Sequence, residues 1–595
     1  MASTLADESM ISSAADNSLH RLPDEVIQSI IFHLSPHDAV RFGAACRRFN
    51  GLIDAPILWR HYCDVYFSYW KHNDDTDDRI IRRDPIAPWK QHFVERIRRE
   101  ERNRALFESA LSTQHERYAK IQEIAECEYE AKDMLLIQCD APSNSEDVLA
   151  RRYFAEATLG LVHRTNALRS WHVLATGKET TLEEQLAAFD LFVIGKHWGN
   201  AEDITRALDD IADGIKNANP NIDELDDLQR SLVIIRHLRD NHLVGMDDGT
   251  EYHSMKNNYL SFNLLHQSHA SLPLQSAVIF CSVARRLGIV AHPCNYPAHI
   301  YVVVMLNRNV SSEQSRTISE KDCLYLDPWT QDTPVALEHL VARLRVFGIS
   351  EREFPMYLAP APVRSMVLRT CRNIMHSYQD WRRGILQDEP PVYNYDAFYS
   401  YLWCMALVED GNANEDGLGV WHRPHLAHLP PFFKENFPED LPLVNRYLGP
   451  MFATHPNRQA FHLTMAEMKA SDLNRRPVVR RDEKARHVKY KIGQMLQHRR
   501  YGYVGVIRRW DPNCQAAETW IAEMGVERLS KGRWQPFYDV LAEDRSQRYV
   551  AEENIEPIYA EPPPQLMRAA GKYFKRWDAD SRVFVSNLRD EYPDD

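Results

Sequence analysis

Apolar side chains first recur at Val26, Ile27, Ile30, Ile31 and Leu34, the spacing of one helical face. They follow Leu22-Pro23-Asp24-Glu25, where a proline and two acids suit a first turn. Ser35-Pro36-His37-Asp38 offers a cap, a proline at the first helical position and an acid, so a second helix carrying Val40, Phe42, Cys46 and Phe49 is expected at once. Leu52, Ile53, Leu58 and Trp59 close this small unit, residues 19–67. Charged helical sequence such as Glu95-Arg96-Ile97-Arg98-Arg99-Glu100-Glu101 occupies much of 68–240, with no fixed repeat. The texture then changes. A helix over Leu274–Leu287 stopped by Gly288, with β-rich runs at His299–Leu306 and Cys323–Leu326, predicts an α+β core over 241–334.

Helical texture returns over 335–474, and the basic stretch 475–487 reads as an exposed linker. Short β-like runs fill 488–560, with Gly493, Gly502, Gly505 and Gly532 at bends, as in a small barrel or curled sheet. Residues 1–18, rich in Ser, Ala and Asp, read as a disordered tail, and 561–595 as a second tail with room for one short helix after Pro562-Pro563-Pro564. The expected fold class is therefore multidomain α+β: an N-terminal helical unit, a helical and α+β middle, and a small β-barrel-like module near the end.

Composition narrows the chemistry. Over 595 residues, 44% hydrophobic and 26% charged content with a net charge of −13 is globular material for several domains, and the acidic total argues against wholesale nucleic-acid binding. The ten cysteines are scattered, without metal-ligand spacing or a disulfide framework, and read as reduced thiols in a cytoplasmic or nuclear protein. No apolar run reaches the length of a membrane span and no leader pattern opens the chain, so no membrane partner is expected, nor a metal or other cofactor.

Leu22-Pro23-x-Glu25-x-Ile27, Leu34, the Cys46-Arg47-Arg48-Phe49 step and the final Leu58-Trp59 together resemble the F-box family. The resemblance implies a compact helical hairpin that docks on the Skp-type adaptor of a cullin and RING ubiquitin ligase. Leu22, Pro23, Ile27, Ile30, Leu34 and Trp59 are its candidate adaptor contacts, because so small a unit cannot bury all of its apolar faces alone. The plainer reading packs the same residues against the chain's own next helices.

Tyr259-Leu260, Pro273-Leu274, Ala284-Arg285-Arg286-Leu287-Gly288-Ile289, Tyr296-Pro297-Ala298-His299 and Leu326-Asp327-Pro328 resemble a transglutaminase-like domain of the Sir-B type, and Arg369-Thr370-Cys371-Arg372 the start of the helical region that follows it. Enzymes of that superfamily hold a cysteine at a helix N-terminus, with histidine as base and aspartate orienting it. Here the nucleophile's place falls on Pro273, while His299 and Asp327 stand where base and orienter would. The pair is read as vestigial, a hydrogen-bonded tie between strands, and no catalytic residue is assigned. Cys281 lies two turns into the helix, which leaves Cys294, in the loop before His299, as the thiol placed to swing in.

Lys491-Ile492-Gly493-Gln494, Arg500-Tyr501-Gly502-Tyr503-Val504-Gly505, Trp510-Asp511-Pro512 and Gln535-Pro536-Phe537-Tyr538-Asp539-Val540 resemble the YccV or HspQ family, also labelled hemimethylated-DNA-binding-like. Lys489, Lys491, Arg499, Arg500, Tyr501, Arg508 and Arg509 are its candidate contacts to nucleic acid or protein, weighed against enough acids to leave the module near neutral. The whole order resembles F-box-only proteins carrying a YccV-like domain, and implies a non-catalytic receptor that brings protein substrates to the ligase. The alternatives are a DNA-associated protein and a divergent cysteine-dependent transglutaminase or peptidase.

Overall fold

A computed structural model describes residues 18–70, 80, 82–195, 201–247, 251–266, 269–306, 323–386, 394–409, 424–453, 455–588 and 590–595. The expected disordered tail lies, all but its last residue, outside the described residues. The chain is a multidomain α+β protein that divides into two compact units, one of residues 1–108 with 126–137 and one of 109–125 with 138–595.

In the first unit the amphipathic run becomes the helix Asp24–Phe32, and Ser35 caps the next, Pro36–Gly43, by accepting the Asp38 amide at 3.1 Å. The single second helix expected through Phe49 is in fact two. Cys46 is extended and its Sγ accepts the Phe49 amide, starting a new helix, Arg47–Ile53, before Pro56–Tyr66 closes the unit. Ile27, Ile31, Phe49, Ile53, Leu58, Trp59 and Tyr62 form its core. The charged helix that follows, Trp89–Ser112, is less exposed than its composition suggests: Arg96 is 1% exposed, lies over the Phe67 ring and donates to the Tyr69 and Glu130 carbonyls.

In the second unit the long helix Leu182–Val193 packs against the α+β core, and Val148–Ala175 and Val363–Arg382 pack against that helix in turn. That core is the helix Pro273–Arg286 and an antiparallel sheet of β1 (Ala291–Pro293), β2 (Val302–Met305) and β3 (Cys323–Leu326) in sequential order. Gly288, at a φ of +75°, ends the helix and lets the Ile289 amide return to the Ala284 carbonyl. The later β region folds as an antiparallel sheet ordered β7 (Gln547–Ala551), β6 (Phe537–Ala542), β5 (Val504–Asp511), β4 (Met495–His498) and β8 (Ile555–Pro557). A bulge between Ile507 and Arg509 shifts its register.

Two expected boundaries read differently in the structure. Residues 561–595 hold a helix, Pro564–Ala570, and a hairpin of β9 (Phe574–Asp578) and β10 (Val583–Ser586), whose Leu566, Phe574, Phe584 and Leu588 share one core with Trp510 and Tyr538. Gly493 makes the docking feasible: a Cβ there would lie 1.9 Å from the Phe584 carbonyl oxygen, so only glycine lets the two backbones meet. The basic stretch 475–487 is also tied down, since Arg481 donates to Asp595 and to the Val488 and Tyr490 carbonyls. Charge and proline content signalled loops in both places, but partners distant in sequence supply the burial.

Candidate functional site

The F-box-like helices sort the six candidate adaptor contacts into two groups. Ile27 and Trp59 are 0% and 2% exposed and belong to the unit's own core, where the Trp59 indole N–H donates to the Ile53 carbonyl at 2.7 Å and its ring packs on Phe93. They follow the plainer reading rather than facing outward. Pro23 and Ile30 are exposed, and Leu22 and Leu34 half-buried. Val26, one helical turn before Ile30, joins this outer face at 43% exposure, a residue that attention to the motif positions alone had passed over. Arg48 fixes the helix start by donating to the Asp24 carboxylate and the Leu22 carbonyl.

In the transglutaminase-like core the helix Pro273–Arg286 opens on Pro273, the residue expected from the resemblance at a nucleophile's place, and its side chain carries no ionisable group. His299 Nε2 and Asp327 Oδ2 lie 2.9 Å apart, and Asp327 also accepts the Thr330 hydroxyl at 2.7 Å and the Trp329 amide at 3.2 Å. Burial alone would raise the Asp327 carboxyl. The hydrogen bond and charge from His299, with the bonds from Thr330 and Trp329, outweigh it and hold the carboxyl below the ordinary carboxylate range. Ala298, at a φ of +60°, precedes the histidine in a left-handed conformation, and Arg369 pins the loop by donating to the Tyr296 and His299 carbonyls. Both nearby thiols favour the protonated form. Burial pushes Cys294 up to about 12 and Cys281 well above the ordinary thiol range, and Cys294 is fully enclosed with Tyr296 and Tyr301.

The helix start is instead closed by a buried polar knot. Ser271 and Ser276 share a hydrogen bond of 2.7 Å, both accept the Gly245 amide, and the Trp329 indole donates to the Ser271 carbonyl. These residues carried no motif, although a tryptophan two places after the candidate orienter was a usable signal. Among the described residues, His253, His376 and Asp380 bring three ligand-type atoms within 4.8 Å of one another. The two imidazoles stack at 4.5 Å with 26° between their planes, so their in-plane lone pairs do not converge, and Arg383 faces the carboxylate at 3.6 Å.

In the β module the candidate contacts scatter. Trp510 and Tyr538 are core residues, Tyr538 donating to the buried Glu552 at 2.9 Å, whereas Tyr501 stands 66% exposed. Lys489 faces Glu552 at 3.5 Å, Arg508 faces Asp539 at 3.8 Å and Arg509 faces Glu591 at 3.2 Å. Arg499 donates to the Ile555 carbonyl, Arg500 lies over the Tyr501 ring, and Lys491 is exposed.

Comparison with known proteins agrees with these three regions. Residues 19–64 match the F-box-like family, 202–372 the transglutaminase-like superfamily and 488–581 the family described as hemimethylated DNA-binding protein YccV like. F-box only protein 21 of Pongo abelii is 24% identical over 628 residues, covering 99% of this chain and 94% of its own, and the Homo sapiens protein of the same name is equally similar. A UPF0162 protein of Xylella fastidiosa is 29% identical over 137 residues, 22% of this chain and 43% of its own. No solved structure matches. Among the described residues no helix is long and apolar enough to cross a membrane. The chain thus carries F-box-like, transglutaminase-like and YccV-like domains in that order, and over nearly its whole length it is similar to F-box only protein 21.

Proposed function

We propose that this chain is the substrate-receiving subunit of a Skp, cullin and F-box type ubiquitin ligase. The observation that carries the reading is the apolar face left outside on the F-box-like helices, with Val26 and Ile30 exposed one turn apart beside Pro23 and Leu22. An apolar face at the start of a domain with F-box similarity is what an adaptor would cover. The transglutaminase-like and YccV-like domains then hold a protein substrate near the charged conjugating enzyme, so the contribution is proximity rather than bond making. Supporting a non-catalytic middle domain are the proline at the nucleophile's place and the enclosed Cys294, which leave the His299 and Asp327 pair nothing to activate. Supporting protein rather than DNA capture are the carboxylate that faces Lys489 and the Ile555 carbonyl that takes up Arg499.

The test is adaptor capture by the full chain carrying Val26→Asp or Ile30→Asp, both exposed and outside the unit's core. Either change places a carboxylate in the proposed interface without entering the unit's core, so both are expected to lose the adaptor and keep wild-type melting. Retained capture by both variants would overturn the reading.

A further inference from the structure

A second feature of the large unit shares no residue with the transglutaminase-like pair. A cavity of about 480 Å³ is bounded by the helices Arg117–Ala125 and Arg458–Leu473, by β5 and by the turn before β9. Its lining includes seven cations, Arg117, Lys434, Lys469, Arg476, Arg508, Arg509 and Lys572, against two acids, Glu439 and Asp472. Adjacent residues of a regular strand face opposite ways, but the bulge between Ile507 and Arg509 breaks the alternation, and Arg508 and Arg509 both reach the cavity.

Both acids in the lining are already engaged. Asp472 accepts the Tyr118 and Ala119 amides at 3.0 Å each, and Glu439 accepts a hydrogen bond from the buried Arg164 at 3.1 Å. Outside the lining, Glu591 is shared by Arg476 and Arg509, Asp539 faces Arg508, and Glu467 faces Lys434. Among the described residues Arg117, Lys469 and Lys572 make no ion pair, and Lys572 donates to the Glu435 carbonyl. Arg117 is the telling member: it is 4% exposed, its Nε donates to the Ala110 carbonyl, and one of its terminal nitrogens has no hydrogen-bond partner. Arg508 Nε is likewise buried without a partner. Desolvated guanidinium groups with unmet donors are unfavourable, and an anionic oxygen is the partner that satisfies both the charge and the fork of N–H groups.

We propose that this cavity is a binding site for a small polyphosphorylated anion. Its volume falls in the usual range for small ligands, and a nucleic-acid duplex cannot enter it. Its cations come from well-separated stretches of the chain, so they converge on a compact ligand rather than tracking a linear polymer. Occupation would tie the Arg458–Leu473 helix to β5 and so brace the β module against the helices.

The test is calorimetric titration of the full chain with inorganic tripolyphosphate at near-physiological salt. One site of micromolar affinity is expected, weakening with added salt, with orthophosphate bound roughly tenfold or more weakly. Arg117→Met removes a buried side chain and endangers the fold, so Arg508→Gln and Lys469→Glu carry the test. Each should cost roughly tenfold in affinity, while Lys531→Glu, outside the cavity, leaves it unchanged. No binding at millimolar tripolyphosphate, unchanged affinity in both cavity variants, an equal loss in Lys531→Glu, or tighter binding of a phosphopeptide than of tripolyphosphate would each overturn the proposal.

Discussion

Val26, Ile30, Val40 and Ile57 stand between 37% and 59% exposed on the F-box-like helices, whereas Asn257, Ser271, Gln275 and Ser276 around the transglutaminase-like helix are wholly buried. One region leaves apolar side chains outside, and the other takes polar ones in: Ser271 and Ser276 bond to each other, while Asn257 and Gln275 donate to backbone carbonyls. Apolar side chains in water favour association with a second molecule, while the knot of Ser271, Ser276 and the Gly245 amide fixes one internal arrangement. The same contrast separates the two candidate sites. Leu22, Pro23 and Ile30 can be reached from solvent, but the helix start at Pro273 is sealed by Ser271, Ser276 and Trp329.

The largest expected effect tests the first half of the contrast at neighbouring positions. Ile27→Asp buries a carboxylate among Ile31, Ile53 and Tyr62 and should cost about 4 kcal/mol or more, enough to unfold the F-box-like unit in a proteolysis or melting assay. Ile30→Asp, three residues on, should shift stability by less than about 1 kcal/mol. Equal losses would mean that the outer face is packed into the unit as firmly as the core, and the distinction between them would go.

Next in size is buried charge in the second unit. Arg164, 4% exposed, donates to Asp440 at 2.7 Å through two nitrogens and to Glu439 at 3.1 Å. Arg164→Met leaves two buried carboxyls facing each other and should cost about 3 kcal/mol in urea unfolding. Burial holds the Glu439 and Asp440 carboxyls above their ordinary values and Arg164 opposes that shift, so in the variant both rise further and part of the loss should be recovered at about pH 5, where they take up protons. A loss independent of pH would show that packing, not charge, is what Arg164 supplies.

Asp190 sharpens the point without a partner cation. Its Oδ1 accepts the Ser261 amide at 2.7 Å, its Oδ2 has no partner, and burial pushes the carboxyl from 3.8 up to about 7. A folded-state value above the ordinary one means that the folded protein binds the proton more tightly than the unfolded chain. Stability from this group is therefore full below about pH 4 and is lost as pH rises through about 7. Asp190→Asn should remove that fall, of which about 2 kcal/mol lies between about pH 5.5 and 8, and flatten the melting profile there. An unchanged slope would place the titration elsewhere.

The parts of this architecture legible in the sequence were those set by neighbours. The helix at Asp24–Phe32 follows from its apolar spacing and acidic start, and the helix at Pro273–Arg286 from its proline and its Gly288 stop. His299 and Asp327 were also placed together, by resemblance. Features made by distant partners were not legible. Arg164 sits in an unremarkable helical stretch and finds its acids far along the chain, and the β9 and β10 hairpin follows a proline run that signals a tail until Gly493 admits Phe584. The cavity cations were partly named, as Arg508 and Arg509, but were read as an open face because the bulge that turns both inward carries no sequence signature.

The smallest expected effect falls on His299 and Asp327, where the contrast meets function directly. Asp327→Asn keeps an acceptor for the Trp329 amide and loses the charge opposite His299, a change worth about 1 kcal/mol. The wild-type carboxyl is held below its ordinary value, so its contribution is present above about pH 4 and is lost as pH falls through the depressed folded value. Wild type and Asp327→Asn should therefore differ in melting temperature at neutral pH and converge in acid. Under the proposed receptor function, transfer of ubiquitin to captured substrates should be unchanged at neutral pH, because a tie between strands that survives the substitution leaves the surrounding surface intact. A variant that melts like wild type at pH 7 yet fails to support that transfer would assign the pair a direct role in substrate handling. The transglutaminase-like core would then belong with the F-box-like face, among the surfaces that work by touching another molecule.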